Sequence, residues 1–362
     1  MLDTIEKWEY RAKANVPGAK EYLEKRLSDC VLLPMKGLHG EVLKLTGLAE
    51  LMEKTVALNS MYEAVKTVRG TQDVILLDAW SSATIEGART TVAQVVASAS
   101  DPKTKDDKMV LNTIRASNYA FKVPITEKNI RHLWETLVAD VCENEEHKGQ
   151  LYRDGMVYIG DPTKTIHTPG KPSQLPDLMA SLFAFLQQEY EEVLISSFVA
   201  HFYFVYVHPF CDGNGRTARI LNVSQLYHGG YKKMKSLPLS SAVNKQLSGY
   251  YSSLSDSEKV LYDHGTPWLD LSPFVSYMLD TFERCLMDAA LAQNELTAQE
   301  KHLLERMNKT GPNAEITVKN AQKVLKLSES SARRILTSLV DKGYLTVDAK
   351  HIPHIYHLQQ HL

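Results

Sequence analysis

HPFCDGNGRTAR, residues 208–219, is the stretch on which the reading of this 362-residue chain turns. The residues before it, Val193 to Val207, are almost all apolar and predict a buried helix. Pro209 cannot continue that helix, because its ring removes an N–H and clashes with the preceding turn. Gly213 and Gly215 allow backbone angles and close ligand approach that a Cβ would obstruct. A second helix then starts, with Arg216, Thr217, Ala218 and Arg219 in its first turns, and runs to about Tyr227, where Gly229-Gly230 stops it. The free N–H groups and partial positive charge of a helix N-terminus attract phosphate. Arg216 and Arg219 add two guanidinium forks for its oxygens. Asp212 is a hard oxygen ligand beside them, suited to Mg²⁺. His208 titrates near neutral pH and can take a proton from a hydroxyl. Base, metal ligand, anion cradle and two arginines in one loop are the parts of a phosphoryl- or nucleotidyl-transfer site.

At the level of the whole string, the segment resembles the signature of the Fic family, His-Pro-Phe-x-(Asp/Glu)-Gly-Asn-Gly-Arg-x-x-Arg, with every fixed position matched. The lead-in, Ala200-His201-Phe202 and Phe204, is similar too. The resemblance implies a mainly α fold: a Fic-type helical core with a small β-hairpin flap. It implies transfer of AMP from ATP, with Mg²⁺, to a Ser, Thr or Tyr hydroxyl of a protein, the chain itself included. His208 would deprotonate the hydroxyl and Asp212 would hold Mg²⁺ against the α- and β-phosphates. Gly213, Asn214 and Gly215 would line the anion hole, with Thr217 and Ala218 completing the nucleotide-binding loop. Arg216 would meet the β-phosphate and Arg219 the γ-phosphate, while Phe210 would anchor the loop. Removal of AMP, or a related phosphate-group transfer, is the alternative at the same site.

Ser82-Ala83-Thr84-Ile85-Glu86-Gly87 resembles the family's inhibitory helix, (Ser/Thr)-x-x-x-Glu-(Gly/Asn). The i, i+4 spacing puts Ser82 and Glu86 on one helical face. By that resemblance Glu86 pairs with Arg219 and takes the place of the γ-phosphate; positioning a water for AMP removal is a second use. Tyr152 to Pro172, rich in Gly and Pro with Met156–Ile159 of strand type, reads as a hairpin. Tyr152-Arg153, Ile159-Gly160 and Pro169 have counterparts in the family's flap, whose edge could pair with an extended target. Leu239-Ser240 and Tyr250-Tyr251 are also similar to the family, and Tyr250 is the candidate for lining an adenine pocket.

Outward from the core, the pattern divides the chain into a helical region with the inhibitory motif at 1–110, the catalytic core at 111–292 and a third part at 293–362. Leu43, Leu45, Leu48, Leu51 and Met52 recur at near-helical spacing, and Asp101-Pro102-Lys103 marks a break. From Thr297 come a helix, a turn at Thr310-Gly311-Pro312-Asn313, a helix over Thr317–Leu325, a Ser328 cap and a helix to about Lys342 that Gly343 ends. Tyr344–Val347 and Ile352–Leu358 could pair as two strands. This is the pattern of a C-terminal winged helix-turn-helix domain. Ser328, Ser330, Arg333 and Arg334 lie where a recognition helix meets DNA, but acidic residues offset its lysines, so DNA and protein partners both stay open; a non-enzymatic regulator is the rival reading. His351, His354, His357 and His361 are spaced by threes, which does not gather them on one strand face, and read as surface residues.

The formal net charge of −2 excludes a chain-wide nucleic-acid or membrane surface. The apolar run Val193–Phe210 contains His201 and His208 and is short for a spanning helix, so no membrane partner is expected. Cys30, Cys142, Cys211 and Cys285 show no paired spacing and the N-terminus has no apolar signal core, so a cytoplasmic location is expected. A homodimer is left open.

Overall fold

Residues 2–65, 71–142, 150–161, 164–294, 296–311, 314–348 and 353–358 are described by the structure, a computed structural model. The chain is mainly helical with small sheets and divides into two units, Met1–Leu286 and Met287–Leu362.

The first unit opens with α1 (Ile5–Lys13) and α2 (Ala19–Ser28). The stretch after them corrects the expectation of a purely helical N-terminal region. β1 (Cys30–Lys36) and β2 (Val42–Thr46) pair antiparallel before α3 (Leu48–Ala64) begins. Leu43 and Leu45 are buried on either side of half-buried Lys44, the two-residue period of a strand. Gly47, at φ 63°, turns the chain from strand into helix. The near-helical spacing arises from joining two different periods across that glycine.

α4 (Thr71–Ile85), α5 (Val92–Ala97), α6 (Lys105–Ala120) and α7 (Glu127–Val138) follow. Thr91, Thr104 and Thr126 cap the last three through side-chain oxygens that accept backbone N–H bonds. Ala79, Ala83, Val95, Met109 and Val110 form one buried cluster between these helices. Val110, where composition draws a domain edge, is fully buried in the middle of α6. The break at Asp101–Lys103 is a connection between two helices, and the helix that would present Glu86 shares its core with α6.

β3 (Ile159–Asp161) and β4 (Lys164–His167) form an antiparallel hairpin. The strand type extends to Ile159 alone of Met156–Ile159. Met156 and Tyr158 are 42% and 67% exposed, so their apolar character meets no sheet face. Then come α8 (Leu175–Leu186), α9 (Val193–Val207), α10 (Asn214–His228), α11 (Leu239–Lys245), α12 (Leu247–Ser257), β5 (Val260–Asp263), β6 (Thr266–Asp270) and α13 (Ser272–Asn294). β2 pairs in parallel with β6, giving a four-stranded sheet in the order β1-β2-β6-β5. Nearly every residue of α9 is buried, as expected for a helix apolar on all faces. No described helix is long and apolar enough to cross a membrane.

The second unit has α14 (Ala298–Asn308), β7 (Glu315–Thr317), α15 (Val318–Leu325), α16 (Glu329–Asp341), β8 (Leu345–Asp348) and β9 (Ile355–Leu358). Its sheet has three strands, order β7-β9-β8, where the sequence predicts two. Glu315–Thr317 pairs with β9, and only at Val318 does the helix start, capped by Thr317. Leu303, Ile316, Leu336, Leu339, Leu345 and Tyr356 share its core. Ser328 accepts a bond from Ser331 N at the start of α16, and Gly343, at φ 78°, follows its end. Pro312, Asn313, His351, Ile352 and His361 lie outside the described residues. His357 Nδ1 is 3.3 Å from the Glu315 carboxylate.

Candidate active site

α9 delivers His208, and α10 delivers Arg216 and Arg219. His208 sits just past α9 at φ 52°, a left-handed conformation that costs a non-glycine residue roughly 1 kcal/mol. Its N–H donates to Phe204 O at 3.0 Å, and its Nδ1 lies 3.1 Å from Val205 O. A carbonyl only accepts, so Nδ1 carries the proton and Nε2 keeps its lone pair. Burial pushes the His208 pKa down to about 4, against the opposing pull of the Val205 carbonyl, while the charges of His167 and Arg153 depress it further and Glu86 raises it. At neutral pH the ring is an uncharged proton acceptor.

The loop between the helices is locked by its own side chains. Phe210 stacks on Trp134 with centroids 4.6 Å apart. Phe210 N donates to Asn214 Oδ1 at 2.9 Å, and Asn214 Nδ2 donates to Phe210 O at 2.7 Å. Trp134 Nε1 donates to the main-chain oxygen of Asp212 at 2.7 Å. Gly213, at φ 76°, begins α10 against Val138, which a Cβ would approach to 3.2 Å. Thr217 spends its hydroxyl on Gly213 O at 2.8 Å, and Ala218 is fully buried. Asn214, Thr217 and Ala218 are thus scaffold by their side chains; the Thr217 N–H is also taken, donating to Gly213 O at 2.9 Å, so it is the first-turn N–H groups ahead of it that helix geometry leaves for an anion.

Both arginines are buried, at 1% and 4% exposure, and they differ in what satisfies them. Arg216 Nη1 reaches Leu137 O at 3.4 Å and Nη2 reaches Asp212 Oδ2 at 3.5 Å, both long, while Nε has no partner among the described residues. A buried guanidinium so loosely held is suited to an anionic guest. Arg219 is held at Nε and Nη2. Its Nε donates to Ser82 Oγ at 2.8 Å, and its Nη2 donates to Ser82 O at 2.9 Å and to Glu86 Oε1 at 2.8 Å.

Glu86 is not on the face of α4, because α4 ends at Ile85. Ala88 N donates to Ala83 O and Gly87 N to Thr84 O, with Gly87 at φ 91°. That is a Schellman closure, which needs a glycine at Gly87 and aims the preceding side chain along the helix end. A Cβ on Gly215 would stand 2.2 Å from Glu86 Oε1, so the glycine makes room for the carboxylate. Burial opposes ionisation of Glu86, but the Arg219 guanidinium prevails and holds it below the usual carboxylate range.

Tyr250 is 2% exposed, and its hydroxyl lies 3.0 Å from His201 Nε2. Its ring faces the interior, whereas Tyr251, packed edge-on against it, is 49% exposed. Asp78, which sequence reasoning passed over, and Arg153, which it placed only as a flap counterpart, stand close to the site. Asp78 accepts Ser240 N at 2.6 Å and Ser240 Oγ at 3.1 Å, tying α4 to the start of α11. Its spacing from Ser82 along one face of α4 was a legible signal. Arg153, whose guanidinium grips the loop at His208 O, lies in an irregular segment with no periodicity to reveal it.

With this geometry in hand, residues 124–226 match the Fic/DOC family. The protein adenylyltransferase Fic of Drosophila virilis is 29% identical over 301 residues, 79% of this chain and 57% of the relative. That of Drosophila willistoni is 30% identical over 280 residues, 73% of this chain and 51% of the relative. The chain thus spans about half the length of the curated relatives it matches. A Fic family protein from Desulfovibrio desulfuricans G20 shares the fold at a TM-score of 0.57 and 21% identity, over 87% of this chain and 96% of that one. Fic-1 (aa134 - 508) from C. elegans does so at a TM-score of 0.51 and 17% identity, over 67% of this chain and 73% of that one.

Proposed function

We propose that this chain is a protein adenylyltransferase that moves AMP from ATP to a Ser, Thr or Tyr hydroxyl of a protein, restrained by Glu86. The observation that carries the reading is the pairing of an uncharged His208, its proton held on Nδ1 by Val205 O, with two buried guanidinium groups at the N-terminus of α10. The names of the curated relatives support the same chemistry.

ATP phosphates bind at the N-terminus of α10, on the backbone N–H groups after Gly213 and on Arg216, whose Nε has no partner among the described residues. Arg216 meets the β-phosphate and Arg219 the γ-phosphate. His208 Nε2 takes the proton of the acceptor hydroxyl; its oxygen attacks the α-phosphorus, the bond to the bridging oxygen breaks, and pyrophosphate leaves. The side chain of Asp212 is 47% exposed and presents a single carboxylate, a donor set that fits Mg²⁺ completed by phosphates and water. When bound, the ion offsets charge on the phosphates. With Glu86 on Arg219, the γ-phosphate loses its partner and the α-phosphate is displaced from the line of attack. Tyr251, the exposed member of the tyrosine pair, suits an adenine face better than Tyr250.

In this reading residues 1–110 bring the inhibitory Glu86, 111–292 form the core, and 293–362 form a winged helix-turn-helix. Exposed Arg334, Lys319 and Lys323 support DNA as a partner of that last part, while the 3.0 Å pairing of Arg333 with Glu329 weakens its basic footprint. The protein acts in the cytoplasm, a compartment that keeps cysteine thiols reduced.

Intact-protein mass after incubation with ATP and Mg²⁺ tests the proposal, with lysate proteins and labelled ATP as a second acceptor pool. Glu86→Gly gains an AMP-sized adduct or labels a lysate protein, wild type does so weakly, and Glu86→Gly with His208→Ala or Asp212→Asn does neither. No transfer to any acceptor by Glu86→Gly would overturn it.

A further inference from the structure

We infer that Arg153 is the positioning residue that holds His208 in register with the phosphate cradle, by tying the loop to both feet of the hairpin; the inference rests on the transfer proposed above. Arg153 is 3% exposed. Its Nε donates to His208 O at 2.8 Å, its Nη1 to Gly155 O at 2.8 Å, and its Nη2 to Gly170 O. Its own backbone N–H donates to Pro209 O at 3.0 Å. All three guanidinium bonds end on backbone carbonyls. An apolar side chain of similar volume would fill the space but leave these three carbonyls without their donor. Simple packing is therefore a poor account of an arginine here.

What the four bonds grip is informative. Two fall on successive carbonyls, those of His208 and Pro209, and so fix the peptide that joins them. His208 is the residue in the left-handed conformation, and a strained residue keeps its angles only when its surroundings over-determine them. The Val205 carbonyl orients the ring through Nδ1, and Arg153 orients the backbone that carries the ring. The other two bonds fall on Gly155 and Gly170, which flank β3 and β4. One planar fork thus sets the hairpin and the base in a single frame, a geometry that an ammonium on a flexible stem cannot reproduce.

The test uses the full chain carrying Glu86→Gly, with Arg153→Lys and Arg153→Met added singly. The first readout is AMP transfer: kcat should fall about ten-fold for Lys and about a hundred-fold for Met, with KM for ATP within about two-fold. The second needs no activity. In ¹⁵N-histidine-labelled protein, the His208 Nδ1–H signal should broaden or shift in both variants, and the ring should titrate at higher pH in Arg153→Met than in Arg153→Lys. The groups that bear on that titration are His167 from the hairpin, Glu86 from the end of α4, and Arg153 itself. An unchanged His208 signal in either folded variant would overturn the inference, whatever kcat does. So would losses of kcat and thermal midpoint that leave the ring signal intact, since these mark scaffold alone. If Glu86→Gly shows no transfer, the proposed function fails while the ring signal still decides the role of Arg153. If Arg153→Met does not fold, Arg153→Lys is read by itself.

Discussion

Glu86 Oε1 accepts a hydrogen bond from Arg219 Nη2 at 2.8 Å, joining the end of α4 to the first turns of α10 across 133 residues of chain. The carboxylate side chain is 30% exposed and the guanidinium 4%. Burial lowers the proton affinity of Arg219, and the Glu86 charge more than restores it. On the proposed function, a phosphate that takes Nη2 of Arg219 displaces Glu86, so the Glu86–Arg219 pair and that phosphate compete, each weakening the other by the same factor.

Glu86→Gly should therefore respond to nucleotide more strongly than wild type. Without ATP it loses the charge-assisted bond, a cost of about 1–2 kcal/mol in urea unfolding, because Ser82 still holds Arg219 through Oγ and its carbonyl. With saturating ATP and Mg²⁺ the variant should gain more stability than wild type gains. Equal gains in the two proteins would show that Glu86 and the phosphates do not share Arg219.

Gly215→Ala separates two effects that Glu86→Gly merges. The new methyl would stand 2.2 Å from Glu86 Oε1 and 3.2 Å from Arg219 Nη1. It should break the ion pair while occupying the same space. The expected outcome is loss of the Glu86–Arg219 contact in a crystal structure, with transfer at least about ten-fold below that of Glu86→Gly. Transfer as fast as in Glu86→Gly would mean that phosphate does not need that space.

Stability should fall on acidification below about pH 6.5. Burial lowers the pKa of His208 to about 4 and of His201 to about 3, so between those values and the ordinary 6.5 the unfolded chain binds protons that the folded chain refuses. Asp78 has the opposite sign: burial raises it to about 6, so the folded chain holds a proton between 3.8 and 6 that the unfolded chain has released. Two groups against one leave a net uptake of about one proton on unfolding, a slope on the order of 1 kcal/mol per pH unit in that window. Urea melts at pH 7, 6 and 5 should show the decline, and Asp78→Asn should steepen it between pH 6 and 5. A flat or rising profile would mean that the two rings are not held neutral.

The DNA reading of the second unit predicts binding that weakens steeply with salt. Neutralising each phosphate contact contributes a slope of about −0.9 in log affinity against log salt. Gel shifts of the full chain with random duplex, at low and physiological salt, would show it, and Arg334→Ala should lower the slope by about one. No shift at low salt would leave protein as the remaining partner class.

The core of the fold and the loop were legible because their signals are local. Pro209 stops α9, Gly213 starts α10, and an apolar run without a polar face marks α9 as interior; each acts over a few residues of chain. The strands β1 and β2 were missed because a two-residue period ran into a helical one across Gly47. The third strand of the second unit was missed because Glu315–Thr317 is too short to show a period before pairing with β9. Side-chain direction was equally hidden. Tyr250 and Tyr251 are adjacent and alike in sequence, yet one points at His201 and the other at solvent.

By itself, then, the sequence determined which residue types stand at the loop, which helices flank it, and so the class of chemistry the loop can perform. The resemblance of its motif implied that Glu86 pairs with Arg219, but tertiary structure alone decided that it does so from beyond the end of α4, that Asp78 ties α4 to α11, and that Arg153 reaches His208 from the base of the hairpin. Each of these contacts depends on where a side chain points after distant segments have packed, and neither propensity nor periodicity along the chain carries that information.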